Sequence, residues 1–391
     1  MADLEVMAEV PPKMSFEISA RNTSLFNLTV VNRLRARIKA LQKALDETGF
    51  DAYLITNVSS VYYFTDFLGL EGPTTLIVPA DGTPTLYISE LSSLAARMEA
   101  RGCIVRSVKI REHFTDEIHK ALSTLKAKKI GFEALPAHIF LRLEKKLRNV
   151  KLQPNSDLVW KLRMVKDATE IAYMRKAAEM ADAGVEAAVE ALKPGIRECE
   201  VAAKAEYEMR SLGSEAFAFN TIVLSGSRTA LPHGFCSTRK ICSGDLVMID
   251  VGAVYKGYRS DLTRTVVVGG HTRKQSELHH LVLTAQEAAF KAIRAGVKAK
   301  RVDSVARNII RRGGYGRYFV HGLGHGVGLD IHEPPKIDPN NNDVLSENNV
   351  ITDEPAVYLP KFGGVRIEDT VLVFRDGAER LTKSPREFPR G

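Results

Sequence analysis

Between His321 and Glu333 the chain reads His-Gly-Leu-Gly-His-Gly-Val-Gly-Leu-Asp-Ile-His-Glu, with glycine at 322, 324, 326 and 328. Extended backbone sends successive side chains to opposite faces. One face of such a segment is therefore bare, and the other carries His321, Leu323, His325, Val327 and Leu329. Glycine weakens a strand and marks a position where a ligand or a second backbone comes close. The Gly-Leu-Gly between His321 and His325 would break a helix, which excludes a helical zinc pair. Histidines beside a stripped backbone face point to metal or acid–base chemistry; the plainer alternative is a Gly-rich turn with solvated histidines. His325 and His332 have opposite parity, so a bulge or turn must lie between them if both face one site.

At 391 residues the chain exceeds what one hydrophobic core usually supports, and two domains are expected. Residues 1–30, weakly periodic, read as an N-terminal extension. Leu34, Ile38, Leu41 and Leu45 keep helical spacing until Gly49. Short apolar strands at 51–56, 74–79, 85–89, 105–110 and 129–132 then alternate with helical stretches near 91–100 and 116–125. That alternation predicts an α/β layer domain over 31–155. Pro154-Asn155-Ser156-Asp157 marks a junction. Beyond it, helices are expected at 169–192, 198–212, 274–295 and 302–312, with strands at 220–224, 246–254 and 263–268. The second domain, 160–391, is therefore expected to be α+β with antiparallel hairpins.

That half contains an internal echo. Met248-Ile249-Asp250-Val251-Gly252-Ala253-Val254-Tyr255 resembles Ile351-Thr352-Asp353-Glu354-Pro355-Ala356-Val357-Tyr358, and each run is followed by a second acid-bearing strand with Asp261 or Glu368 at its mouth. Two such hairpins facing each other across a pseudo-two-fold would gather four carboxylates. Acids so placed repel and raise one another's pKa unless cations neutralise them. Taken singly, each would pair with Arg259, Arg264 or Arg366. As a set with His325 they suit two divalent ions of intermediate hardness, which can activate a water and polarise a carbonyl.

The same residues carry a family resemblance. Leu231-Pro232-His233-Gly234, Asp250 with Asp261, Gly324-His325-Gly326 with His332-Glu333, Thr352-Asp353-Glu354-Pro355 and Arg366-Ile367-Glu368-Asp369 are similar, in order and spacing, to the pita-bread metallopeptidases: methionine aminopeptidase, aminopeptidase P and prolidase. The first half resembles the creatinase-like domain of prolidases and aminopeptidases P, through Asn57 to Phe67 and Lys161-Leu162-Arg163-Met164-Val165-Lys166. The resemblance implies a pseudo-two-fold antiparallel sheet with covering helices. It implies Asp250, Asp261, His325, Glu354 and Glu368 as ligands to two divalent ions (manganese foremost, or cobalt, iron or zinc), with Asp261 and Glu368 bridging. It further implies a metal-bridging hydroxide as nucleophile, Glu354 as proton shuttle, His233 and His332 as groups that hold substrate and stabilise the oxyanion, and Arg366 orienting Glu368 or the substrate. Asp353 stands where the family usually has an apolar residue, so an extra acid adjoins the site.

Prolidases cleave Xaa-Pro dipeptides and need a cation for the substrate carboxylate; Lys336, after His332-Glu333-Pro334-Pro335, is placed to supply it. Prolidase is therefore the expected activity. The alternatives are aminopeptidase P, which cleaves longer Xaa-Pro peptides, and a non-catalytic pita-bread binding protein. The expected partners are a small peptide with proline second and a second copy of the chain. No apolar run approaches the roughly 20 residues a membrane helix needs. The N-terminus lacks a basic and apolar leader, and the four cysteines form no C-x-x-C pair, so reduced thiols in the cytoplasm are expected. The net charge of +8 is dispersed and lacks a stacked-aromatic module, so nucleic acid is not an expected partner.

Overall fold

The computed structural model describes residues 20–69, 72–109 and 114–388. Its first helix, Ala20–Thr48, buries Leu34, Ile38, Leu41 and Leu45, each 5% exposed or less. It begins within the stretch expected to be an extension; residues 1–19 of that stretch lie outside the described residues. A six-stranded sheet follows in the order 104–108, 85–89, 74–79, 52–55, 129–132, 151–154. Ala52–Ile55 lies at its middle, antiparallel to Thr74–Pro79 and parallel to Lys129–Phe132. All four of its residues are buried, as expected of a strand covered on both faces. The aromatic-rich segment after Asn57 is a helix, Val58–Thr65, whose N-terminus the Asn57 side chain caps by accepting from Ser60 N.

The helix Asp157–Met164 leads into the second half, which is built twice over. In each copy a long helix starts on a capping box, Asp167 with Glu170 and Thr272 with Gln275. A second helix packs back on it: Ala168–Ala191 with Glu198–Ser211, then Arg273–Ala292 with Ala299–Arg312. Each pair covers its own antiparallel sheet. The first sheet runs 262–267, 246–251, 222–225; the second runs 333–337, 324–326, 350–353, 369–373, 378–380. Val201, Ala205, Val247, Ile249 and Val251 fill the core of the first copy, and Val282, Ala306, Ile351, Val371 and Val373 that of the second. The internal echo thus marks equivalent strands, with Asp250 opposite Thr263 and Asp353 opposite Asp369. The two sheets are joined where Glu368 N donates to Thr263 O at 3.1 Å.

The glycine stretch departs from the expected long strand. Only Gly324–Gly326 is a strand, with a register shift against its neighbour, and bends follow before Glu333–Ile337. Val327 and Leu329 join the core shared with the first half, whereas Leu323 packs in the core of the second copy. The expected single face therefore does not exist. The glycines do admit a neighbouring backbone: a Cβ at 324 would lie 2.2 Å from the Thr352 carbonyl oxygen, and one at 326 would lie 2.2 Å from that of Pro334. No helix among the described residues is long and apolar enough to cross a membrane.

Candidate metal centre

His233, Asp250, Asp261, His325, His332, Glu354, Arg366 and Glu368 all line one cavity of about 400 Å³ at the junction of the two sheets. Asp250 is carried by the strand Leu246–Val251, and Asp261 directly precedes Leu262–Val267. His325 is the centre of the glycine strand. Glu354 follows Val350–Asp353, and Glu368 precedes Asp369–Val373. Five acids and bases scattered over more than a hundred residues meet because four of them lie at or next to strand ends that border the cavity, and the short glycine strand brings His325 to the same place.

One ligand atom each from Asp261, His325 and Glu368 lies within 4.8 Å of the other two. His325 Nε2 is 3.6 Å from Asp261 Oδ2 and 3.3 Å from Glu354 Oε1. His332 stands at the mouth with its ring edge-on to His325, centroids 4.3 Å apart. His233, exposed like its neighbour Phe235, lines the same cavity.

Arg366 does not reach the Glu368 carboxylate directly. Its Nη2 pairs with Asp250 Oδ2, its Nη1 donates to Tyr358 Oη at 2.7 Å, and its Nε donates to Thr263 Oγ1 at 2.9 Å. Thr263 passes the contact on, its hydroxyl donating to Glu368 Oε2 at 2.5 Å. A planar fork next to two strands reaches the nearer acid and touches the farther one through a hydroxyl. Of the other arginines considered as partners, Arg264 pairs with Asp369, and Arg259 donates to the carbonyls of Leu329 and Ala218. His321 and Tyr358 also belong to the polar wall, His321 Nε2 lying 3.0 Å from Tyr358 Oη, and Thr263 supports that wall through Arg366 and Glu368. Tyr358 and Thr263 went unnoticed in the sequence, where a hydroxyl on a β-rich run carries no signal of its own.

Asp353 lies on the other side of its strand from Glu354, as alternation requires. It is fully buried toward Arg380, Asp369 and Glu287, and neither carboxylate oxygen has a hydrogen-bond partner. Burial pushes its pKa well up, and its carboxylate is not among the groups that line the cavity.

The electrostatics ask for cations. Burial raises the pKa of Asp250, and raises those of Asp261 and Glu368 well above the usual carboxylate range, their neighbouring acids adding to the effect. Burial alone would lower His325, yet its contact with Glu354 lifts it to about 9, while the same contact outweighs burial and holds Glu354 down to about 2. Asp250 Oδ1 and Glu368 Oε1 are buried without any hydrogen-bond partner. Unanswered carboxylate oxygens in a shared cavity with one imidazole are the donor set that divalent ions of intermediate hardness prefer.

Comparison with known proteins agrees with this geometry. Residues 37–165 match the Creatinase/Prolidase N-terminal domain, and residues 172–375 match Metallopeptidase family M24. The chain belongs to metallopeptidase family M24. This M24 chain is 45% identical to the Xaa-Pro dipeptidase of Pyrococcus furiosus over 91% of its own length and 100% of the relative's. It superposes on the prolidase of Pyrococcus horikoshii OT3 with a TM-score of 0.86 at 42% identity, covering 90% of this chain and 100% of that one. The X-Pro aminopeptidase of Thermotoga maritima MSB8 gives 0.83 at 38% identity, over 90% and 98%. Membership of M24 brings with it the divalent metal ions on which these peptidases depend.

Proposed function

We propose that this M24 chain hydrolyses the Xaa-Pro bond of dipeptides, with Asp250, Asp261, His325, Glu354 and Glu368 holding two divalent ions, Asp261 and Glu368 shared between them. The observation that carries the reading is the convergence of these five side chains on one cavity, with two of their oxygens left unanswered. Bound there, such ions lower the pKa of water and polarise the scissile carbonyl; manganese, cobalt, iron and zinc all accept this donor set.

The protein's own groups do the rest. Glu354, ionised and fixed by His325, takes a proton at Oε1 from the attacking water and returns it to the proline nitrogen. An amide nitrogen leaves poorly unless it is protonated, so a carboxylate able to return the proton is needed at this point. His332 and His233, both lining the cavity, donate hydrogen bonds to the carbonyl oxygen as negative charge builds on it. Arg366, through Asp250 directly and through Thr263 to Glu368, keeps the acids in register. Phe219, Ile222 and Ile331 give the cavity an apolar wall for the pyrrolidine ring.

Two features favour dipeptides. A cavity of about 400 Å³ is near the small end of the roughly 300–1,000 Å³ typical of ligand sites. Next to it, a second cavity of about 370 Å³ shares His325 and His332 and is lined by Lys336, an exposed cation suited to a substrate carboxylate. The aminopeptidase reading is favoured by the 38% identity to the Thermotoga structure. Kinetics on an Xaa-Pro dipeptide and an Xaa-Pro-Yaa tripeptide, with manganese or cobalt supplied, separate the two. A dipeptide preference that Lys336→Ala erases, mainly by raising KM, supports the dipeptidase; a tripeptide preference assigns the aminopeptidase. A cytoplasmic homodimer with manganese as native metal completes the proposal.

A further inference from the structure

Behind the metal centre, away from the substrate cavity, the chain after the last strand turns back across the sheet. Asp182, half-buried on the helix Ala168–Ala191, pins this return. Its carboxylate accepts from Lys383 N at 2.8 Å, from Ser384 N at 2.8 Å and from the Ser384 hydroxyl at 2.7 Å. The carbonyls of Ser384 and Pro385 then face inward to Arg264, which is only 3% exposed. Arg264 donates to Ser384 O at 2.7 Å and Pro385 O at 2.9 Å, and its remaining donors reach Thr263 O, Asp369 Oδ1 at 2.7 Å and the carbonyl of Glu368. A guanidinium has five N–H donors in a fixed fork, and here the fork spans from the strap to the backbone of a proposed metal ligand.

A second thread runs beside it. Thr382 donates its hydroxyl to Asp369 Oδ1 at 2.8 Å and accepts from Thr370 N at 3.2 Å. The Thr370 hydroxyl donates to Asp261 O at 2.7 Å and accepts from Asp261 N at 3.0 Å. The strap, residues 381–386, therefore reaches the backbone of both carboxylates proposed to be shared by the ions, Glu368 through Arg264 and Asp261 through Thr370.

We propose that this C-terminal strap is a positioning element of the metal centre, with Arg264 and Asp182 as its positioning residues, setting the separation between Asp261 and Glu368. The proposal rests on the metal-binding reading above. A strap that only glued the fold together would contribute stability and leave metal affinity untouched. Partners that orient metal ligands instead change affinity, typically by roughly 10- to 100-fold when lost.

The test uses the full chain, stripped with chelator and titrated with manganese by calorimetry, alongside circular-dichroism melting. Arg264→Met is expected to weaken binding of at least one ion by roughly 10- to 100-fold. Arg264→Lys, which keeps the charge but not the fork, should recover only part of that loss, and Asp182→Ala should weaken binding severalfold. Turnover at saturating manganese should fall through kcat with KM held within about twofold, since no strap residue faces the substrate. If Arg264→Met does not fold, Asp182→Ala and Arg264→Lys decide alone. Wild-type manganese affinity in both of those variants overturns the strap proposal and leaves the metal site standing. Failure of the unsubstituted chain to bind manganese overturns both.

Discussion

Glu333 and Lys166 form an ion pair of 2.7 Å in which each side chain is about 1% exposed, and Arg163 closes on the other carboxylate oxygen at 2.8 Å. The two cations come from the segment that joins the halves of the chain, and the acid adjoins His332 at the mouth of the cavity. Ser60 and Asp330 extend the knot through Arg163, and Ser59 reaches Asp330 from the first half. Removing one partner of a buried pair strands a charge and costs about 3–5 kcal/mol. Lys166→Met leaves Glu333 with Arg163 as a remaining cation and is expected to lose stability up to that order, read as a fall in the urea midpoint at an unchanged slope. An unchanged midpoint would show that the pair is not buried in solution.

Gly324 and Gly326 flank His325 with no room to spare. Alanine at either position would place a methyl 2.2 Å from a backbone carbonyl oxygen, which cannot swing aside as a side chain can. Overpacking of this kind costs about 1–3 kcal/mol and moves the local backbone. Gly324→Ala and Gly326→Ala are each expected to lower kcat at least tenfold, because the imidazole between them shifts with its strand. Gly270→Ala, whose methyl would meet nothing within 4 Å, is the control and should match wild type in both activity and melting temperature.

Arg366 serves four partners, Asp250, Tyr358, Thr263 and the carbonyl of Pro232. An ammonium group can satisfy one or two of them, and without the planar geometry. Arg366→Lys is expected to lower kcat/KM by roughly 10- to 100-fold, the usual cost of losing a group that orients metal ligands. Steady-state kinetics at saturating metal provide the check, and activity within twofold of wild type would remove Arg366 from the positioning role.

His279 supplies a pH signature remote from the cavity. It is 5% exposed, its ring stacks on Phe388 with centroids 3.9 Å apart, and burial lowers its pKa from 6.5 to about 4. The unfolded chain binds this proton below about pH 6.5 and the folded chain only near 4. The contribution of neutral His279 is therefore fully present above pH 6.5 and is lost as pH falls towards 4. The slope is at most about 1.4 kcal/mol per pH unit for one group. Urea midpoints followed from pH 7 to pH 4 should fall less steeply for His279→Phe than for wild type. Parallel curves would contradict the assignment.

Much of this architecture was legible as pattern. The strands Thr74–Pro79, Thr85–Ser89 and Lys129–Phe132 coincide with their expected ranges, because apolar β-branched runs between turn residues leave little choice. The echo between residues 248–255 and 351–358 paired strands of the two copies, although its matched acids part company: Asp250 lines the cavity and Asp353 faces the core. The alternating glycines signalled a close backbone, and the opposite parity of His325 and His332 called for the bulge or turn that the register shift and the bends before Glu333 supply. Arg366 illustrates the remaining limit. A sequence offers the guanidinium and several acids, and only the fold decides that Asp250 is the one within reach. Asp353 shows the same thing in reverse: it adjoins Glu354 in the chain and faces the opposite side of the strand.

The central claim is that Asp261 and Glu368 together hold a pair of divalent ions. Anomalous diffraction from crystals of the full chain grown with manganese tests it most directly. The account predicts two peaks about 3.5–4 Å apart, both in contact with Asp261 and Glu368, with His325 on one of them. No peak in this cavity, or peaks that touch neither carboxylate, would contradict it.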